Sequence, residues 1–382
     1  MTRPEIPMTP GPTAVPPEVY LAQGSPLVYH RGPGYGDLLR EVAAGLKALL
    51  KTERDVLVFT SSGTGGLESA VANLFSPGDR VVVPVTGYFG DRFARIAEAF
   101  HLDVRRIDYE WGRAVDPSDV EQAVGEAPTK GVLFQHSETS TGVINDVEPI
   151  ARAARAAGAL TALDVISSAG AVPLETDAWG IDVAIGGSQK ALSATPGIAF
   201  VSVSEEAWAA SRQATSPRFY FDWAAYRAAY ERENPESPWT PAISLMLGLR
   251  EALRLYLEEG SEAVLRRHEL LSTATKEGVR ALGLDLFGDH PERAWAVTAV
   301  KVPDGVDGKG IVSKMRADHG IIIAGGQGPL TGKVFRIGHL GYYDRFDIVR
   351  CLSALELTFM DLGYPAKPGA AVAAAEEVFA RA

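Results

Sequence analysis

Two short apolar runs, Leu160–Ile166 and Ile181–Ile185, constrain this chain more than any other feature of its sequence. Each is too short for an ordinary helix and is bounded by turn-forming residues. That is the pattern of a strand covered on both faces of a parallel sheet. Each run also delivers one ionisable residue near its carboxyl end: Asp164 late in the first, and Lys190 just beyond the second, in G-G-S-Q-K. Open α/β sheets build their ligand sites at the carboxyl ends of their strands.

The rest of the first two thirds repeats the theme. D-V-L-V-F-T, R-V-V-V-P-V and K-G-V-L-F-Q-H read as strands, and P-I-A-R-A-A-R-A-A reads as one of the helices between them. An alternating series of this kind predicts an α/β fold with a mostly parallel sheet. Asp37 is expected to cap a helix running to about Lys51. The tract S-S-G-T-G-G joins the first strand to the helix L-E-S-A-V-A-N-L-F. A glycine-rich turn there leaves free amides at the positive end of the helix dipole, which suits an anion such as phosphate. Residues 1–17 are too rich in Pro and Gly for helix and are expected to form an extended arm. From about Gly260 helices alternate with short strands, A-W-A-V-T-A-V-K-V and G-I-I-I-A-G-G. The organisation expected is an arm (1–17), a large domain (18–259) and a smaller α+β domain (260–382).

Composition narrows the function classes. A net charge of −11 argues against nucleic acid or an anionic membrane surface as a partner. No segment is long and apolar enough to span a bilayer and the N-terminus lacks a signal core, so a cytoplasmic protein is expected. A single cysteine, Cys351, rules out an internal disulfide and any multi-cysteine metal site, and no metal is expected.

A lysine at a strand end can form a Schiff base with an aldehyde cofactor, and a nearby carboxylate can hold a protonated pyridine nitrogen. Together they are what pyridoxal 5′-phosphate (PLP) chemistry requires. A strand-end Asp serves equally as a turn cap, and a lysine after Gly-Gly-Ser is often simply solvated. The wording of the segment adds to the pair. V-A-I-G-G-S-Q-K-A-L followed by P-G-I-A-F-V-S-V-S resembles the cofactor-lysine segment of class V aminotransferases of the alanine/serine–glyoxylate type. The resemblance extends through nearly the whole chain.

It implies PLP fold type I, with a seven-stranded-type large-domain sheet, and a homodimer with shared active sites. It also implies a set of residues. Ser62, Gly63 and Thr64 match the phosphate-binding position. Tyr88 lies where the family stacks an aromatic ring on the pyridine, and Thr139 is placed beside the ring or its phenolic oxygen. Asp164, Ile166, Gln189 and Lys190 surround the cofactor. Thr240 matches a threonine that reaches the phosphate of the neighbouring subunit, whereas Ser237 stands where some relatives have a phosphate-binding Tyr. Arg336, in V-F-R-I-G, matches the substrate-carboxylate site, to which a guanidinium fork is suited. Gly11 lies in the segment that passes over the entrance. His136 is read as packing.

The reaction implied is transfer of an amino group from a small amino acid, alanine or serine, to glyoxylate or a similar 2-oxo acid. Transamination of 2-aminoethylphosphonate or ureidoglycine is the nearest rival. Cysteine desulfuration needs a mobile-loop cysteine, but Cys351 falls within the helical pattern I-V-R-C-L-S-A-L. A non-catalytic partner protein on the same fold would have no need of Lys190, Asp164 and Arg336 together.

Overall fold

A computed structural model describes residues 5–382. A seven-stranded sheet forms its centre. Its strands are β1 (Asp55–Thr60), β2 (Arg80–Val85), β3 (Asp103–Asp108), β4 (Gly131–Gln135), β5 (Leu160–Asp164), β6 (Val183–Gly187) and β7 (Ile198–Val203). They lie in the order β1-β7-β6-β5-β4-β2-β3. Strand β7 runs antiparallel to both β1 and β6, and every other pairing is parallel. All strands but β7 therefore point the same way, and their carboxyl ends open on one edge.

The apolar runs explain why the sheet is sandwiched. Alternate residues of a strand face opposite sides. Val56, Val58, Phe134, Leu163 and Phe200 belong to one core, while Leu57, Phe59, Leu133, Ala162 and Val201 belong to another on the opposite face. Helices α1 (Gly63–Leu74) and α2 (Tyr88–Ala99) cover the second face. Helix α3 (Ile243–Glu259) packs with the helix Pro33–Leu50 on the first.

A third core gathers α4 (Ser261–Ala281), α5 (Arg345–Asp361) and a three-stranded sheet of β8 (Val297–Lys301), β9 (Ala324–Gly325) and β10 (Val334–Gly338). The arm docks on this unit. Ile6–Pro7 pairs in parallel with Ile321–Ile322, Met8 is fully buried in the third core, and the Gly338 amide donates to the Met8 carbonyl at 2.8 Å. Among the described residues no helix is long and apolar enough to cross a membrane.

Three boundaries of the segments singled out above differ from expectation, the first being the second apolar run, read as Ile181–Ile185, whose strand is Val183–Gly187. Asp37 is not a cap: the helix begins at Pro33, whose ring presets φ for a first helical turn, and Asp37 lies exposed inside it, paired with Arg40 at 2.5 Å. Strand β5 ends at Asp164 instead of Ile166 because the Asp164 carboxylate captures the Ile166 amide at 2.8 Å, ending the ladder.

The third core holds fully buried histidines. His268 donates from Nδ1 to the Val264 carbonyl (2.7 Å) and accepts at Nε2 from the Gly341 amide (2.9 Å), which fixes it as the neutral tautomer. Burial pushes its pKa down to about 3. The native state therefore binds fewer protons than the unfolded one between that value and the ordinary histidine value of about 6.5. The stability this supplies is complete above about pH 6.5 and is lost as pH falls toward about 3. The melting temperature should drop across this window, and His268→Asn, which does not titrate there, should make that drop shallower.

Candidate active site

The carboxyl edge of the large sheet carries a cavity of about 250 Å³. Strand β1 supplies one wall. After Thr60 the chain turns through Ser61 and Ser62 into α1, where Ser62 is the extended N-cap residue and its hydroxyl makes no capping bond. The first amides of α1 have no intrahelical acceptor and face this edge. Gly63 has to be glycine, since a Cβ there would run into the Ile166 side chain.

Strands β5 and β6 supply the floor. Asp164 ends β5 and is 6% exposed; one carboxylate oxygen accepts from the Ile166 amide, and the other makes no hydrogen bond among the described residues. Burial lifts its pKa to about 7, and the charge of Glu138 adds to the rise, against the opposing pull of the Ile166 amide, Lys190 and Arg92. Lys190 follows β6 after a short turn, is buried, and donates from Nζ to the Pro10 carbonyl. Burial lowers its pKa to about 8; the nearby Asp164 opposes this, while Arg336 and Arg92 add to it. Ile166 and Gln189 complete this wall, and the Gln189 side-chain oxygen is buried without a partner.

The arm closes the top. Thr13 donates from Oγ1 to the Lys190 carbonyl (3.0 Å) and from its amide to the Gln189 carbonyl (3.3 Å). Gly11, at φ +110°, lies against the lysine so closely that a Cβ would collide with its Cδ, Cε and Nζ. Eight of the residues named from sequence thus line one cavity: Gly11, Ser62, Gly63, Thr64, Asp164, Ile166, Gln189 and Lys190.

Arg336 stands in the middle of β10, 5% exposed, with Ala299 of β8 and Ala324 of β9 as its neighbours. Its guanidinium donates from Nε and Nη2 to the Gly325 carbonyl (3.1 and 2.7 Å) and from Nη1 to the Thr139 carbonyl (3.0 Å). A guanidinium has five N–H donors, so one remains on each terminal nitrogen, the pair that a carboxylate takes in parallel. Burial lowers its pKa to about 10, which leaves it cationic at neutral pH.

The remaining sequence-named residues lie outside the cavity wall. The ring that lines it is Phe89; Tyr88 begins α2, and its amide donates to Ser140 Oγ at 2.9 Å. Thr139 is buried and contributes its carbonyl to Arg336. Thr240 is exposed, and Ser237 is buried with its hydroxyl 2.6 Å from that of Tyr35.

Sequence reasoning missed Phe89, Arg92, Ser137 and Glu138. The first three line the cavity. Glu138 is fully buried and accepts from the Phe89 and Gly90 amides (3.0 Å each) and from the Ser140 amide and hydroxyl (3.1 and 2.5 Å). It staples the loop after β4 to the start of α2 and so sets where Phe89 stands. Only Phe89, as part of the aromatic pair Y-F, left a signal in the sequence. A larger cavity of about 610 Å³, between His136, Trp179 and Trp295, contains no lysine and none of the residues named from sequence for the site.

The mostly parallel α/β sheet thus carries a buried lysine and a buried carboxylate at one cavity on its carboxyl edge, with a helix N-terminus beside them, while Arg336 lies outside the cavity wall. Residues 18–340 match the model of the family described as aminotransferase class-V, and the chain belongs to that family. It is a transaminase of the α/β fold that PLP-dependent aminotransferases share. It is 42% identical to "Soluble hydrogenase, small subunit" of Synechococcus sp., over 98% of each chain. It is 37% identical to L-aspartate--glyoxylate aminotransferase of Paracoccus denitrificans, over 96% of this chain and 94% of that one. The crystal structure of ureidoglycine-glyoxylate aminotransferase from Bacillus subtilis superposes with a TM-score of 0.96 at 32% identity, covering 100% of this chain and 99% of that one.

The lowered pKa of Lys190 gives a direct test. Only the neutral amine attacks a carbonyl, so the rate at which apo-protein forms its PLP adduct should rise with pH and level off above about pH 8. Stopped-flow absorbance would measure it. A rise continuing toward pH 10 would show that the reacting lysine is solvated.

Proposed function

We propose that this protein uses PLP held at Lys190 to move an amino group from a small amino acid to glyoxylate or a similar 2-oxo acid. The observation that carries this reading is the convergence of Lys190 and Asp164 on one cavity, with Arg336 near enough for its charge to depress the lysine's pKa. The cavity fits the group. Among the described residues it offers a carboxylate oxygen on Asp164 without a hydrogen bond, glycines at Gly11 and Gly63 where a Cβ would collide with Lys190 and Ile166, an unpartnered Gln189 amide oxygen and the first amides of α1. Among the relatives, L-aspartate--glyoxylate and serine--glyoxylate aminotransferases share glyoxylate in their names.

When bound, PLP supplies an aldehyde to carry the amino group and a ring that withdraws electrons. The protein supplies the rest. Asp164, deprotonated, holds a positive ring nitrogen. Arg336 takes the α-carboxylate common to donor and acceptor, on its two free N–H groups. Lys190 Nζ, whose pKa burial lowers to about 8, would take the proton from the substrate Cα and deliver it to the carbon that takes over the amino group.

Mixing the PLP-loaded protein with single amino acids should bleach its visible absorption band for a few small donors, and glyoxylate should restore it. A band that no amino acid bleaches would overturn the reading. Arg336→Lys keeps the charge but loses the fork, so KM for donor and acceptor should both rise about tenfold or more.

We further propose a homodimer with shared sites. Thr240 supports it: it is solvent-facing in the single chain, next to Trp239, which stacks on the exposed Phe219 at 4.8 Å between ring centroids. A heterodimer of Thr240→Ala and Lys190→Ala chains tests this. With a contact across subunits, the one lysine-bearing site receives an intact threonine and should bind PLP as tightly as wild type. An affinity equal to that of the Thr240→Ala homodimer, about 1–3 kcal/mol weaker, would place the contact within one chain.

A further inference from the structure

Arg92 lies in the second turn of α2 and reaches back over the helix start. Its Nη1 donates to Thr64 Oγ1 at 3.1 Å, and its guanidinium carbon stands 4.9 Å from the Phe89 ring centroid and 5.2 Å from that of Tyr88. It lines the same cavity as Asp164 and Lys190. Among the described residues it takes part in no ion pair. Its neighbour Asp91 is turned away toward Arg106, at 2.8 Å. A partly buried guanidinium without a carboxylate partner is an uncommon arrangement, because the desolvated charge is left uncompensated.

The bond to Thr64 has a defined direction. Arginine has no acceptor, so the threonine oxygen accepts, and the hydroxyl hydrogen, which makes no other bond among the described residues, is left to donate elsewhere. Thr64 sits in the first turn of α1, beside amides without intrahelical acceptors. The guanidinium, the oriented hydroxyl and the helix end all favour an anion at this end of the cavity. Arg92 also acts on the other end through its charge, which stabilises the anionic form of Asp164 and the neutral form of Lys190.

We infer that Arg92 is the positioning and charge-compensating residue for the phosphate of the cofactor. It fixes the Thr64 hydroxyl as a donor and makes the cavity select phosphorylated over unphosphorylated pyridoxal. The inference rests on the PLP reading above.

The experiment measures dissociation constants of PLP and of pyridoxal, by the absorbance of the lysine adduct, for wild type, Arg92→Gln and Arg92→Lys. Calorimetry with inorganic phosphate on the PLP-free protein is run in parallel. Arg92→Gln should weaken PLP by about tenfold to a hundredfold, the loss of one hydrogen bond to a charged group, while pyridoxal changes less than about twofold. Phosphate binding by the apo-protein should weaken in step. Arg92→Lys keeps a cation without the fork and should fall between wild type and Arg92→Gln, which preserves the test if the glutamine variant does not fold. Thr64→Val should weaken PLP in the wild-type background but add little to Arg92→Gln, because the hydroxyl is then no longer oriented.

Equal losses for PLP and pyridoxal would overturn the inference, since they would mark a general distortion of the ring site. So would an unchanged PLP affinity, including one accompanied by a raised KM for aspartate alone, which would assign Arg92 to a substrate side-chain carboxylate. Wild-type protein that forms no adduct with either aldehyde would overturn the cofactor reading itself, and this inference with it.

Discussion

Burying an amine and a carboxylic acid in one small cavity is the constraint on which the rest of this structure turns. For both Asp164 and Lys190 burial is the largest influence on protonation, and each is pushed toward its neutral form, to about 7 and about 8 respectively. Their mutual attraction opposes this but ranks below desolvation for each. Burial therefore favours a neutral amine at Lys190 and takes part of the charge from Asp164. A group that places a cation beside Asp164 and combines with the amine removes both penalties together. Gly11 leaves room for the lysine, whose Nζ donates to the Pro10 carbonyl of the arm and whose own carbonyl accepts from Thr13.

The surrounding polar groups are fixed before any ligand arrives. Glu138 takes four donors and so ends as a satisfied buried acid, which turns a short loop and the first turn of α2 into one rigid piece. That piece sets the Phe89 ring on one side and offers the Thr139 carbonyl to Arg336 on the other. A site held by side chains locked in this way loses little entropy on binding.

Lys190, Asp164 and the Ser62–Thr64 turn were legible because they lie just beyond apolar runs, where the direction of a parallel sheet determines what faces the ligand edge. Most of the strands were legible for the same reason, but β3, D-V-R-R-I-D, at the sheet edge and without a buried apolar run, was not. What escaped depended on contacts between segments far apart in sequence. Tyr88 and Phe89 are adjacent on a helix start and point about 100° apart. The phase that puts Phe89 in the cavity is set by amide bonds to Glu138, some 50 residues away. Arg92 reads in sequence as an ordinary solvated helix arginine, and only the fold brings Thr64 to it. Asp37 looked like a cap because Pro33, the stronger start signal, stands inside a run of glycines.

The position of Arg336 relative to Lys190 shows how little of the site is left to loops. Arg336 lies two residues before Gly338 on β10, and the Gly338 amide binds the Met8 carbonyl. Met8 is anchored in the third core, two residues before Pro10, whose carbonyl receives the lysine. A Cβ on Gly338 would strike the Thr9 carbonyl, so arm and strand touch backbone to backbone. The separation between Arg336 and Lys190 is thus spanned by a strand interior and two residues of a docked arm. The same backbone path makes the arm part of the site: until Met8 is buried, the carbonyl that receives Lys190 and the strand that presents Arg336 have no fixed relation to each other.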